Sequence, residues 1–241
     1  MLREDTRSRF EGIDAGWTAA SDRGPRSVNA DAVAAYRDPL TGELVVAVAD
    51  GIGDDEAAVL AARCAVEAAV RVPASEGPIE ALLAAQRALP AEGDCVLVVA
   101  TPFTDRTSSG HRIAWVGDCR AHTWDDTSLH TLTTDQTLAQ YLRKHGHEVP
   151  PRAEHVVTNT VRLTDVDRIG WTQVRGNGGL LLTTDGVHKV VPEFLTHRLL
   201  TGAASARQLV DAAHELGGKD NATAIVVTEP VTSGIPAQVR R

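Results

Sequence analysis

Glu43-Leu-Val-Val-Ala-Val-Ala-Asp-Gly-Ile-Gly-Asp54 is the stretch from which the fold can be read. Leu44 to Ala49 is an unbroken, valine-rich apolar run, which predicts a strand buried on both faces. It ends in Asp50-Gly51-Ile52-Gly53-Asp54. A carboxylate at the tip of a buried strand is expensive without a partner, and a cation is a common one. The glycines let the backbone turn sharply, so a carbonyl can approach the same ion. Two later segments, Ile113-Ala-Trp-Val-Gly-Asp118 and Leu180-Leu-Leu-Thr-Thr-Asp-Gly186, repeat the plan of an apolar strand ending in an acid. A fourth acid, Asp220, precedes the valine-rich segment 222–228. One Asp-Gly is a turn signal and no more. Three strand-end acids with Asp220-Asn221 read instead as carboxylates converging on a metal cluster.

Working outward, the predicted elements come in hairpins and in two separated groups of helices. Strands are expected at 16–20 and 32–36, and again up to Asp50 across the Asp38-Pro-Leu-Thr-Gly42 turn. Further strands are expected at 94–101, 111–117, 121–124, 128–132, 169–174, 180–184 and 222–228. Helices are expected at 54–70, 78–89, 134–144 and 205–216. In the first of these, Glu56, Arg63, Glu67 and Arg71 form a narrow polar stripe on an otherwise apolar helix. Asp54 is read as its cap, and Thr134 as the cap of the third helix. Ser205 and Gln208 form a capping-box pattern. This order favours an α+β fold in which two packed antiparallel sheets carry helices outside. Residues 1–14 read as a loose arm, 15–229 as one domain and 230–241 as a tail. Residues 145–168 are the least patterned segment, with His145, His147 and His155.

Bulk properties narrow the function. With 241 residues, 43% of them hydrophobic, the chain can bury a sizeable core. The formal charge of −8, with both signs mixed along the chain, argues against a nucleic-acid or anionic-membrane partner. The three scattered cysteines, Cys64, Cys95 and Cys119, fit a reducing compartment. No apolar run reaches the length of a membrane span and no leader pattern opens the chain, so a cytoplasmic protein is the default expectation. Asp50, Asp185 and Asp220 are hard oxygen ligands and select Mg²⁺ or Mn²⁺ over Zn²⁺. Arg26, in a glycine- and proline-containing loop, is the candidate clamp for a phosphoryl group. Cys119 is followed directly by Arg120, so no Cys-x5-Arg loop supports a cysteine nucleophile.

The motifs Arg26-x-x-Asn29-x-Asp31, Asp50-Gly51-x-Gly53, Gly117-Asp118-x-Arg120, Thr134-Asp135, Thr184-Asp185-Gly186 and Asp220-Asn221-x-Thr223 occur in the order and rough spacing of one family. In them the chain resembles the metal-dependent type-2C (PPM) serine/threonine protein phosphatases, over about residues 16–229 and in the compact bacterial form. The resemblance implies a four-layer αββα sandwich with a dinuclear Mn²⁺/Mg²⁺ site at one end of the sheets. Asp50 would bridge both ions, the Gly51 carbonyl would bind one, and Asp185 and Asp220 would hold the other. Asp118 would join Asp185 at a third, weaker ion. Arg26 would bind phosphate, Asp31 would orient the site, and residues 140–168 would form a flap beside the cleft. Asn221 and Thr223 would shape the loop. The implied substrate is a phosphoserine or phosphothreonine protein, opposing a serine/threonine kinase. A catalytically weak relative that binds phosphoproteins as a regulator is the alternative. The chain departs from the pattern at Ala30, where an acid is usual, and at Asp54, where a second glycine is usual. Gln136 and Ile52 stand where relatives carry histidines.

Overall fold

The computed structural model describes residues 7–12, 16–176 and 178–228. The expected tail at 230–241, and residues 1–6, 13 and 14 of the expected arm, lie outside these. Residues 7–12 of that arm are a strand, β1 (Arg7–Gly12), which pairs along β2 (Trp17–Asp22) from Arg7↔Asp22 to Gly12↔Trp17. Its charged sequence carries no apolar run, so periodicity alone could not reveal it.

The other strands are β3 (Asp31–Arg37), β4 (Leu44–Gly51), β5 (Cys95–Thr104), β6 (Ser109–Val116), β7 (Arg120–Trp124), β8 (Leu129–Thr131), β9 (Gly170–Arg175), β10 (Leu180–Thr183) and β11 (Ala222–Val227). They form two antiparallel sheets, ordered β1-β2-β11-β10-β7-β8 and β3-β4-β5-β6-β9. Helices α1 (Glu56–Val70) and α2 (Gly77–Ala88) cover the five-stranded sheet. Helices α4 (Asp185–His188), α5 (Glu193–Thr201) and α6 (Ala206–Glu215) cover the other, and α3 (Leu138–Lys144) packs on the turn at Pro151–His155. The result is the αββα sandwich.

Strand β4 shows why the apolar run does not alternate. Val45, Ala47 and Ala49 pack under α1 and α2, while Leu44, Val46 and Val48 enter the core between the sheets. Both faces are covered, so both must be apolar. On α1, Ala58, Ala61, Ala62, Ala65 and Ala69 are fully buried, and these small side chains bring the helix close to the sheet. The expected stripe of Glu56, Arg63, Glu67 and Arg71 faces solvent.

Three local expectations change. Helix α1 is capped by Asp55, which accepts from the Ala58 amide; the Asp54 side chain instead accepts from Val28 N at 3.3 Å. Helix α3 starts at Leu138 behind a Thr137 cap, because Asp135 is taken up by Arg120. Helix α5 was not anticipated: it starts directly after Pro192, with no side-chain cap. The capping box of α6 is formed as expected. Among the described residues, no helix is long and apolar enough to cross a membrane.

Candidate metal centre

Antiparallel order gathers the acids. The start of β3 (Asp31), the end of β4 (Asp50, Gly51) and the turn after β6 (Asp118) lie at one end of their sheet. The turn after β10 (Asp185) and the residue pair before β11 (Asp220, Asn221) lie at the end of the other. Asp31 and Asp50 are directly opposite across β3 and β4. A cavity of about 340 Å³ opens here, lined among others by Arg26, Asp50, Asp118, His155, Asp185 and Asp220. A second, of about 620 Å³, adjoins it and adds Lys189 and Lys219 to Arg26, Asp185 and Asp220. Of the histidines in the unpatterned segment, His155 reaches the cleft, and His145 and His147 line neither cavity.

Two glycines fix the backbone at the rim. A Cβ on Gly51 would lie 2.5 Å from Ala58 O, and one on Gly186 would lie 1.9 Å from Asn221 O. Both contacts are with backbone, so no larger residue fits without shifting the strand ends.

Like charges dominate the electrostatics. Burial, with the charges of Asp31, Asp185, Asp118 and Asp220, pushes the Asp50 carboxyl well above its ordinary range. Burial raises Asp31 as well, although Thr184 Oγ1 donates to its Oδ2 at 2.8 Å. The other oxygen, Asp31 Oδ1, is buried without a hydrogen-bond partner. Among the described residues, no three His, Cys, Asp or Glu side chains are already drawn into an ion cage. Instead, two cations of the chain stand among the acids. Arg26 donates to Asp220 Oδ2 at 2.8 Å. Lys189 Nζ donates to Asp118 Oδ2 at 2.8 Å and to Asp185 Oδ2 at 2.9 Å. Burial alone would lower the Lys189 pKa; Asp185 and Asp118 more than offset it and hold the ammonium charged. A set of carboxylate and carbonyl oxygens with an unsatisfied buried oxygen suits hard divalent cations.

Sequence reasoning named the acids and Arg26 and gave Asn221 and Thr223 the shaping of the loop; it did not foresee Lys189 or the ties made by Gln136. Asn221 pins the Arg26 loop: its Oδ1 accepts from Ala30 N at 2.8 Å, and its Nδ2 donates to Arg23 O at 2.8 Å and Val28 O at 2.9 Å. Thr223 Oγ1 lies 2.7 Å from Ser21 Oγ. Gln136 ties the Asp118 turn to residues 159 and 168. Its Oε1 accepts from Gly117 N at 3.0 Å and Asn159 Nδ2 at 2.9 Å, and its Nε2 donates to Arg168 O at 2.9 Å. Arg120 grips Asp135 with two bonds of 2.8 Å. Ala30 is buried at 2% exposure against Ala58, Val59 and Val28, so the position where the resemblance led to the expectation of an acid is part of the packing onto α1. Lys189 had one usable signal, its position four residues after Asp185, which matters once a helical turn is recognised there.

No protein-family model and no curated protein matches the chain. Solved structures do. A bacterial serine phosphatase superposes with a TM-score of 0.74 at 20% identity, covering 90% of this chain and 98% of that one. The serine/threonine phosphatase Stp1 from Staphylococcus aureus gives 0.73 at 20% identity, covering 88% and 94%. The catalytic domain of the serine/threonine phosphatase PstP, in complex with two manganese ions, gives 0.70 at 24% identity, covering 87% and 96%. The chain is thus built on the fold of the bacterial serine/threonine phosphatases.

Proposed function

We propose that residues 15–229 form a metal-dependent protein phosphatase that hydrolyses phosphoserine or phosphothreonine by direct attack of water. The observation that carries this reading is the convergence of Asp50, Asp185 and Asp220 with Arg26 on one cavity at the end of both sheets. The solved structure with two manganese ions on the same fold supports it. Asp50, the Gly51 carbonyl, Asp185 and Asp220 would together hold two ions, Mn²⁺ or Mg²⁺. Such a pair supplies Lewis-acid charge and lowers the pKa of a water molecule.

The chain's own residues do the rest. Arg26 offers a planar fork that fits two phosphate oxygens. Its side chain is 42% exposed, so it can turn from Asp220 towards an arriving phosphoryl group. Asp31, held by Thr184, presents its free Oδ1 beside Asp50 and orients the centre. The adjoining cavity, with Lys219 on its wall beside Arg26 and Asp220, gives the residues flanking the phosphorylated side chain a place to lie. The same reading makes the substrate a protein phosphorylated by a serine/threonine kinase.

The test is turnover of a chromogenic phosphate ester and of a phosphothreonine peptide, with and without Mn²⁺. Metal-dependent turnover of both is expected. No turnover, with tight phosphopeptide binding retained, would replace the enzyme by a phosphoprotein-binding regulator.

A further inference from the structure

The resemblance implies a third ion between Asp118 and Asp185, and the residues found there do not fit one. Both side chains are largely buried, at 6% and 16% exposure, and a single ammonium stands between them. Lys189 Nζ is 2.8 Å from Asp118 Oδ2, 2.9 Å from Asp185 Oδ2 and 3.0 Å from the Glu154 carbonyl. An ammonium has three N–H donors and no acceptor, so every proton it carries is placed. The arrangement is built into the turn that supplies Asp185. Lys189 N donates to Asp185 O at 3.0 Å, which makes the two side chains i,i+4 neighbours on one face of α4. A divalent ion of Mg²⁺ size would sit about 2.1 Å from each carboxylate oxygen, in the gap that Nζ fills, and against a like charge.

We propose that Lys189 is a built-in cation: its ammonium takes the place of a third metal ion between Asp118 and Asp185, and through the Glu154 carbonyl it fastens the Pro151–His155 segment to the metal face of the cleft. The proposal rests on reading Asp50, Asp185 and Asp220 as the ligands of two core ions. It makes Asp118 the partner of an ammonium here, not a metal ligand. A tethered cation is also present at any Mn²⁺ concentration. Asp118 and the segment beside the cleft are therefore set in place before the core ions bind. Arg143, which pairs with the Glu154 side chain, holds the same segment from α3.

The test counts Mn²⁺ bound per chain at saturating free Mn²⁺, by equilibrium dialysis and elemental analysis, in the wild type, Lys189→Met and Asp118→Asn. Methionine keeps most of the side-chain length and removes the charge. Two equivalents are expected in the wild type, three in Lys189→Met and two in Asp118→Asn. Amide exchange over residues 151–157, measured without Mn²⁺, should be about 10-fold faster or more in Lys189→Met, as expected for loss of a hydrogen bond to a charged group. Three equivalents in the wild type falling to two in Asp118→Asn would overturn the proposal, and that comparison does not depend on Lys189→Met folding. Two equivalents in both the wild type and Lys189→Met would overturn it too, and unchanged exchange would overturn the fastening of the segment. A wild type that binds no Mn²⁺ would remove the two-ion reading itself, a result distinct from each of these.

Discussion

Asn221→Ala separates loop-shaping from ligation. The Asn221 side chain is 6% exposed and serves three backbone groups of the loop that carries Arg26. Truncation leaves the buried Ala30 amide without its acceptor, at about 1–3 kcal/mol, and removes the donor from two carbonyls that water can partly recover, at about 0.5–1 kcal/mol each. The expected loss is therefore about 3 kcal/mol of unfolding free energy, read as a lower urea midpoint with an unchanged slope. Arg26 lies between the two anchor points Arg23 and Val28, so its guanidinium also loses its fixed position, and kcat/KM towards a phosphopeptide should fall about 10-fold. If the kinetic loss runs through Arg26, it should nearly vanish when Asn221→Ala is made in an Arg26→Ala background, whereas independent sites would multiply. A stability change under about 1 kcal/mol, or fully multiplicative kinetic losses, would refute the argument.

Arg26→Ala itself should lower kcat/KM roughly 10-fold or more, from loss of a charge-assisted contact worth about 1.5–3 kcal/mol. It should also tighten Mn²⁺ binding, because Asp220 loses a competing cation; unchanged kcat/KM would return Arg26 to a surface charge. Asp185→Asn should keep the fold and abolish Mn²⁺-dependent hydrolysis, and near wild-type turnover would sink the metal assignment. Asp55→Ala should cost about 0.5–2 kcal/mol as a lost cap while Asp54→Asn leaves α1 stability unchanged, with the reverse ranking contradicting the cap geometry. Burial holds His111 and His122 down to about 4, below the ordinary 6.5. The unfolded chain then binds more protons between pH 6.5 and 4, so stability present above that window is lost as pH falls through it, on the order of 3 kcal/mol per histidine. A urea midpoint that stays flat from pH 7 to pH 5 would contradict this.

The parts of the fold legible in the sequence are those where burial leaves one choice of residue. Strand β4 could be read because Leu44 to Ala49 must satisfy a helical layer on one face and a second sheet on the other. Strand β1 and helix α5 could not. The first is charged along its length and gains its place by pairing with β2, and the second begins without a capping side chain. The helix starts went astray for a related reason. Asp54 and Asp55 are equivalent as caps in sequence, and a tertiary contact, Val28 N to Asp54, decides between them.

The candidate site divides along the same line. Its acids were legible because a carboxylate at the tip of an apolar strand has no bland explanation once it is repeated at Asp50, Asp118 and Asp185. Its cations were only half legible: Arg26 sits in a recognisable motif, while Lys189 follows a short turn that leaves no pattern. Yet the cations settle how the acids behave. Without Lys189, Asp118 and Asp185 would be two unpaired carboxylates in a largely buried place, a state that costs several kcal/mol unless an ion from solution relieves it. With Lys189, the relieving cation is tethered to the chain, and Asp118 has its partner at any metal concentration. On this argument the metal response of the protein should be carried by Asp50, Asp185 and Asp220; among the described residues Arg26 reaches Asp220 and Lys189 reaches Asp185.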